Sequence, residues 1–306
     1  MNHARNALAL VSLLSLAALS APAFAQVDLS GSWPPRNSSD ALQDLPGPEP
    51  LPVDYLGLPL NDSGRAAALL VSPDRLSMPD HICAFYSPVY MMLGPFGLAI
   101  SNQTESRNGG TVAWAIGGWE DLATITIHMD GRARPSKYAP HEMSGFTTGV
   151  WEDDVLVSHT THMRASIIRR NGAPHSDQAT LTMWFLRHGA ELTVFARIED
   201  PVYLSVPLYL TRVFVMDPQA APRRTAGQPC IKGDEGVPEG TVPHFLPGKN
   251  PFMEETAKED GIPLSAVLGG AETMYPEYRK KLQGKYLRPE KCPRVCGGPG
   301  TYPNIF

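Results

Sequence analysis

The 306 residues carry 26 basic and 31 acidic side chains, a formal charge of −5, and no basic run longer than Arg279-Lys280-Lys281. A mildly acidic chain of this kind excludes the polycationic surface that nucleic acid requires as a partner. The length is ample for one large core, and β-barrels and sandwiches of this size are routinely single domains.

The first residues have the three parts of a secretory leader. Arg5 gives a positive start, Ala7 to Leu19 form a short apolar run, and Ala23-Phe24-Ala25 is an A-x-A-like cleavage site before Gln26. The run is shorter than the roughly 20 apolar residues that span a bilayer, and Pro22 interrupts it. Residues 1–25 are expected to be a signal peptide, and the remainder a soluble, exported bacterial chain, periplasmic or secreted, with no membrane span. Loss of Arg5 takes the formal charge from −5 to −6. In an oxidising compartment Cys83, Cys230, Cys292 and Cys296 are best read as disulfides. Of the possible pairings we expect Cys83–Cys230, tying the entry of the domain to its exit, and Cys292–Cys296, closing a small loop. The spacing Cys-Pro-Arg-Val-Cys lacks a matching second pair, which argues against zinc.

Residues 26–80 form a Pro-rich lead-in. Within it Gly31-Ser32-Trp33 has the Gly-x-Trp pattern of a strand that opens a closed barrel, Trp sealing one end and Gly letting backbone pass close by. Asn61-Asp62-Ser63-Gly64-Arg65 before an Ala/Leu run predicts a capped helix over 62–71, ended by Pro73. Across 81–216 the texture turns to strands: 89–93, 98–104, 111–116, 122–129, 147–151, 155–162, 179–187, 191–199 and 208–216. His188-Gly189 marks a hairpin turn between two of them. Residues 217–306 are Pro- and Gly-rich with short helical stretches at 251–259, 263–268 and 271–282. The fold class expected is mainly β: a single antiparallel β-barrel, lipocalin- or calycin-like, with a partly helical C-terminal wrap.

Most of the histidines fall between His128 and His188. Side chains two apart on a strand share a face, so His128 and Asp130 point the same way and can form an oriented acid/base pair, although Met129-Asp130-Gly131-Arg132 is also good turn chemistry. His159 and His162 lie three apart, on opposite faces, and cannot grip one metal ion on a regular strand. Alternation from Val155 and Val157 favours His159 and Thr161 on the inward face; the converse puts His162 inside with Thr160. Two polar loops, Asp130–Phe146 and Arg169–Asp177, gather Arg132, Tyr138, His141, Arg170 and His175, and both can rim one mouth of a barrel. Trp114, Trp119, Trp151, Trp184, Phe185 and Phe195 would line or fill its interior. No Gly-x-Ser-x-Gly elbow, P-loop or dinucleotide fingerprint occurs, so neither a cofactor nor a metal is implied.

Several segments are distinctive as a set: Met129-Asp130-Gly131-Arg132, Tyr138-Ala139-Pro140-His141, the run from Gly145 to Glu152, Asp200-Pro201-Val202-Tyr203, and the run from Gly269 to Pro276. Over roughly residues 31–283 the chain resembles a group of secreted bacterial proteins of unassigned function, found mainly in environmental species. The resemblance implies export and carries no chemistry over to particular residues.

Two functions follow from the residues. One is a cofactor-independent acid/base enzyme, a lyase, hydratase or isomerase, acting on a small, mostly apolar metabolite held in the barrel. His159 would be its general base, with His128 and Asp130 or His162 as alternatives. Arg132, Tyr138, His141, Thr161, Arg170, His175 and Trp184 would contact the ligand, Arg132 or Arg170 against developing negative charge. The other is a non-catalytic carrier of the same kind of molecule; a structural envelope protein is a third reading.

Overall fold

Eleven short strands organise the described part of the chain: β1 (Gly31–Trp33), β2 (Leu98–Thr104), β3 (Thr111–Gly117), β4 (Ile125–His128), β5 (Phe146–Glu152), β6 (Val155–Thr161), β7 (Ser166–Arg169), β8 (Ala173–His175), β9 (Thr180–His188), β10 (Glu191–Glu199) and β11 (Leu208–Val215). The structure is a computed structural model and describes residues 27–36, 52–72, 86–93, 97–104, 110–118, 124–169, 171–219, 240, 242 and 244–282. The expected leader, all four cysteines and their pairings, Trp119 and Arg170 lie outside the described residues.

Nine strands form one sheet in the order β1-β2-β3-β4-β5-β6-β9-β10-β11. The segment that begins as β1 pairs with β2 on one side. On its other side the Ser32 and Pro34 carbonyls accept from Asp217 N and Val215 N, and Arg36 N donates to the Val213 carbonyl. The sheet thereby comes round on itself into a barrel, as the alternating runs predict. One expectation is corrected. The sheet is not wholly antiparallel, because β4 and β5 pair in parallel, Ile127 beside Thr147 and His128 beside Thr148. The loop between them, residues 129–145, is therefore a crossover rather than a hairpin loop.

The interior is filled. Trp33, Trp114, Phe185 and Phe214 are buried to 2% exposure or less, within one cluster that includes Ile116, Ile127, Leu156, Leu181, Met183, Val194 and Ile198. The Trp33 indole donates to the Leu29 carbonyl at 2.9 Å, and the Arg187 guanidinium lies over its ring at 5.3 Å. Arg212 also faces inward, buried, donating to the Met91 carbonyl at 2.7 Å. Phe195 and Trp184, expected inside, stand on the outer face.

One end of the barrel has tight turns, at Asp153-Asp154 and Gly189-Ala190. The other is capped. The cap contains α1 (Asp62–Leu70), the β7–β8 hairpin, the turn from Asp200 to Leu204 and a 3-10 helix, Pro88–Met92. Residues 89–93 were expected as a strand; Pro88 sits in the first turn of the 3-10 helix instead, and every residue from Pro88 to Met92 is buried. Residues 169–177 were expected as a polar loop; of them Arg169 ends β7 and Ala173–His175 form β8, pinned by Arg169 Nη1 to the Asp54 carboxylate at 3.2 Å and by Asn171 Nδ2 to the Asp54 carbonyl at 2.6 Å. The C-terminal helices Phe252–Asp260, Leu264–Val267 and Pro276–Leu282 pack on the lead-in, and Ile262, Ala266, Val267 and Leu282 join the barrel's own buried cluster. Among the described residues no helix is long and apolar enough to cross a membrane.

Candidate functional site

Strand β6 decides where the candidate residues face. Leu156, Ser158 and Thr160 are fully buried, whereas Val155, Val157, His159 and Thr161 are partly exposed. His159 and Thr161 therefore lie on the outer face, and their expected inward orientation is corrected. The outer valines are covered in part by neighbours: Val157 sits between Val150 on β5 and Trp184 on β9. The inward polar pair is self-satisfied, Thr147 and Thr160 sharing a hydrogen bond of 2.8 Å.

Register then aligns a row of side chains across the outside of the barrel: His128, Thr148, His159, Thr182, Arg197 and Tyr209. Adjacent members are separated by one strand spacing, about 4.8 Å. Beside it runs an aromatic ridge. The Trp184 and Phe195 rings are 5.2 Å apart, and Phe195 stacks on Tyr209 at 5.9 Å. Trp184 thus belongs to an external surface, not to a lumen.

His159 shares a hydrogen bond of 3.1 Å between Nδ1 and Thr182 Oγ1. Burial, then the positive fields of Arg134 and Arg197, lower its pKa below the ordinary 6.5, with Glu199 opposing. Its imidazole is neutral at pH 7, the form a general base requires. Arg197 Nη2 pairs with Glu199 at 3.1 Å, but Arg197 Nε is buried and, among the described residues, has no hydrogen-bond partner. Burying a charged donor without an acceptor is costly, so this atom asks for one. Sequence reading missed Arg134 and Arg197. Arg197 was findable: Leu192, Val194, Ala196 and Ile198 alternate inward, which puts Phe195 and Arg197 outside together.

The crossover loop returns along this face. Asp130 turns back onto Arg132 through Nε at 2.9 Å and Nη2 at 2.6 Å. That bond, ahead of its other causes, lowers the Asp130 pKa to about 2. The carboxylate expected to orient His128 is thus taken by the turn. His128 packs at 5.4 Å on Phe146, and burial followed by Arg132 lowers its pKa. Further along, His162 Nε2 donates to the Ser136 carbonyl at 2.9 Å, which fixes Nδ1 as the atom that accepts from Thr161 Oγ1 at 2.8 Å. Its φ of 58° is a left-handed conformation that a non-glycine side chain holds only under constraint. His141 lies 5.2 Å from it, Nδ1 donating to the Met163 carbonyl at 3.0 Å, which leaves Nε2 as the basic nitrogen. Tyr138, at the outer edge of the loop, is 83% exposed.

Of the expected ligand residues, Arg132, Tyr138, His141, Thr161 and Trp184 gather with His128, His159 and His162 on this one face and its rim. His175 does not. It is sealed in the cap, sharing a 2.6 Å hydrogen bond with Ser87 Oγ and donating Nδ1–H to the Ser176 carbonyl at 3.0 Å. Nothing in the sequence signalled Ser87. No family model, curated protein or solved structure matches this chain.

Proposed function

We propose that the protein is an exported acid/base enzyme, of the lyase, hydratase or isomerase kind, working on the outer face of the barrel. Its substrate is a small, mostly apolar metabolite with an anionic or carbonyl head. The observation that carries this reading is the buried, unpartnered Nε of Arg197 one strand beyond Thr182, whose hydroxyl holds the neutral imidazole of His159. An unpaired Nε–H on a guanidinium already anchored by Glu199 suits a carboxylate or an enolate-like oxygen. His159 takes a proton from the carbon next to that head, and the resulting charge develops against Arg197 and Arg134. Trp184, Phe195 and Tyr209 offer rings to the apolar body. The protonated imidazole then returns its proton at a second position or to a leaving oxygen.

The test is to incubate the purified protein with a small-molecule extract of its host and follow consumption and retention by mass spectrometry. His159→Ala and Arg197→Met are run alongside. A metabolite consumed by the natural protein and spared by both variants supports the proposal. A metabolite retained unchanged by all three proteins makes this a binding protein and removes the base.

A further inference from the structure

The strands β6, β9 and β10 carry apolar side chains on both faces. Inward, Leu156, Phe185 and Val194 fill the core. Outward, register places Val150, Val157, Trp184 and Phe195 in one row across β5, β6, β9 and β10. Val155 and Leu186 stand side by side in the next row toward the tight turns. Val150 and Leu186 are 57% and 41% exposed. On the opposite half of the barrel the outward residues of β2, β3 and β4 are small or polar: Ala99, Ser101, Ala115 and Thr126. Strands that are apolar on both faces read as strands covered on both, and an exposed apolar patch on one half of a barrel marks an interaction surface.

The extent of the face and its charges point to the partner. Five strands about 4.8 Å apart, each about eight residues long at about 3.3 Å per residue, span on the order of 600 Å². Two copies face to face would bury about 1,200 Å², the lower end of a specific interface. The middle of the patch is uncharged and therefore matches itself across a two-fold axis. Each end carries charges of both signs, Arg36 with Glu191 beside the Gly189-Ala190 turn and Arg197 with Glu199 toward the cap. A two-fold can thus set unlike charges opposite each other. A rim of mixed sign argues against a lipid surface, which an amphipathic face meets with Lys and Arg. We infer that the protein is a dimer, formed by this face against the same face of a second copy of the chain. The row of His159, Thr182 and Arg197 borders the patch on its cap side, so the second copy walls the proposed site without filling it. The inference does not rest on the catalytic reading: a monomer would leave that reading standing, and an inactive dimer would leave this one standing.

The experiment measures the mass of the full-length mature protein by sedimentation velocity over a range of concentrations. The expected result is a species that reaches twice the chain mass by about 100 μM, since interfaces of standard size bind at micromolar concentration or tighter. Val150→Glu with Leu186→Glu puts two charges on each copy into the interface and is expected to weaken association by about 100-fold or more. Both positions are exposed in the single chain, so this variant keeps its fold, which circular dichroism checks. Ser101→Glu, on the opposite half of the barrel, is expected to remain a dimer. A natural protein that stays monomeric to about 100 μM overturns the inference. In that monomer, binding of an anilinonaphthalene sulfonate dye that the double variant abolishes leaves the face to a different partner, and no dye binding assigns it to a segment of this chain. A folded double variant that associates as tightly as the natural protein overturns the inference as well, because another surface then joins the copies. Loss of the dimer in Ser101→Glu does the same.

Discussion

Thr147 and Thr160 illustrate how single residues set the orientation of this barrel. Each is buried to 2% exposure or less, and the two hydroxyls satisfy each other at 2.8 Å. A threonine pair of this kind is a polar reading of a core position, which is why alternation along β6 points the wrong way when the valines are taken as the inward set. Thr160→Val is expected to strand the Thr147 hydroxyl and cost about 1–3 kcal/mol of stability. The double substitution Thr147→Val with Thr160→Val removes both polar atoms and should recover most of that loss. Urea unfolding of the two single variants and the double variant measures it. A double variant as unstable as the sum of the singles would mean that packing, not hydrogen bonding, holds the pair. The same misreading placed His159 in a lumen; it lies on the outer surface, where its environment is Arg134, Arg197, Glu199 and the Thr182 hydroxyl rather than aliphatic side chains.

At the scale of elements, most of the fold was legible because its strands are short, alternating runs bounded by turn residues. β2 and β10 run where they were expected, 98–104 and 191–199, and the helix after Asn61 begins at its cap. What was not legible has physical causes. The parallel β4–β5 pairing is invisible because a crossover loop has the same composition as a long hairpin loop. The Pro88–Met92 segment looks like a strand because all of its residues are buried, which removes any periodicity. Several distinctive segments turn out to be joints. Asp200 accepts from Ser176 N, Ser176 Oγ and Val202 N at 2.6, 2.7 and 2.9 Å, which explains the aspartate of Asp200-Pro201-Val202-Tyr203. Gly269, at φ +71°, passes so close to the Tyr55 and Leu58 carbonyls that a Cβ would lie 2.5 and 2.7 Å from them. Tyr138-Ala139-Pro140-His141 is a joint at one end only: His141 is tied to the Met163 carbonyl through Nδ1 and to Arg164 Nε through its own carbonyl, at 3.0 and 3.2 Å, while the Tyr138 ring stays exposed. Asn61 joins both ends of one connection. Its Oδ1 caps the helix by accepting from Gly64 N, and its Nδ2 donates to the Val202 carbonyl, each at 2.9 Å. Asn61→Ala is expected to cost about 1–2 kcal/mol, at the upper end of a lost cap. It should also speed proteolysis at the 200–204 turn before global unfolding. A shift in midpoint below about 0.5 kcal/mol would show that the cap is redundant.

At the scale of the molecule, the described residues form a nearly closed barrel whose capped end depends on buried polar contacts, and this makes it sensitive to acid. His175 is fully buried in the cap, between Ser87 Oγ and the Ser176 carbonyl. Burial lowers its pKa below the ordinary 6.5, against smaller opposing effects of the Ser176 carbonyl and Asp200. The folded state therefore binds a proton less readily than the unfolded state. Stability from this group is fully present above pH 6.5, the ordinary value, and is lost as pH falls from there toward the lower folded value. His159 and His128 are lowered in the same direction, with smaller effects because water screens their partly exposed rings. The urea midpoint should accordingly stay level from about pH 8 to 7 and fall between about pH 6.5 and 5. His175→Gln keeps a polar group beside Ser87 and removes the titration. It should lower the midpoint at neutral pH and flatten the acid arm. A natural protein whose midpoint is unchanged down to about pH 5 would mean that the cap admits the proton without strain, and that His175 is not held as a neutral strut between the 3-10 helix and β8.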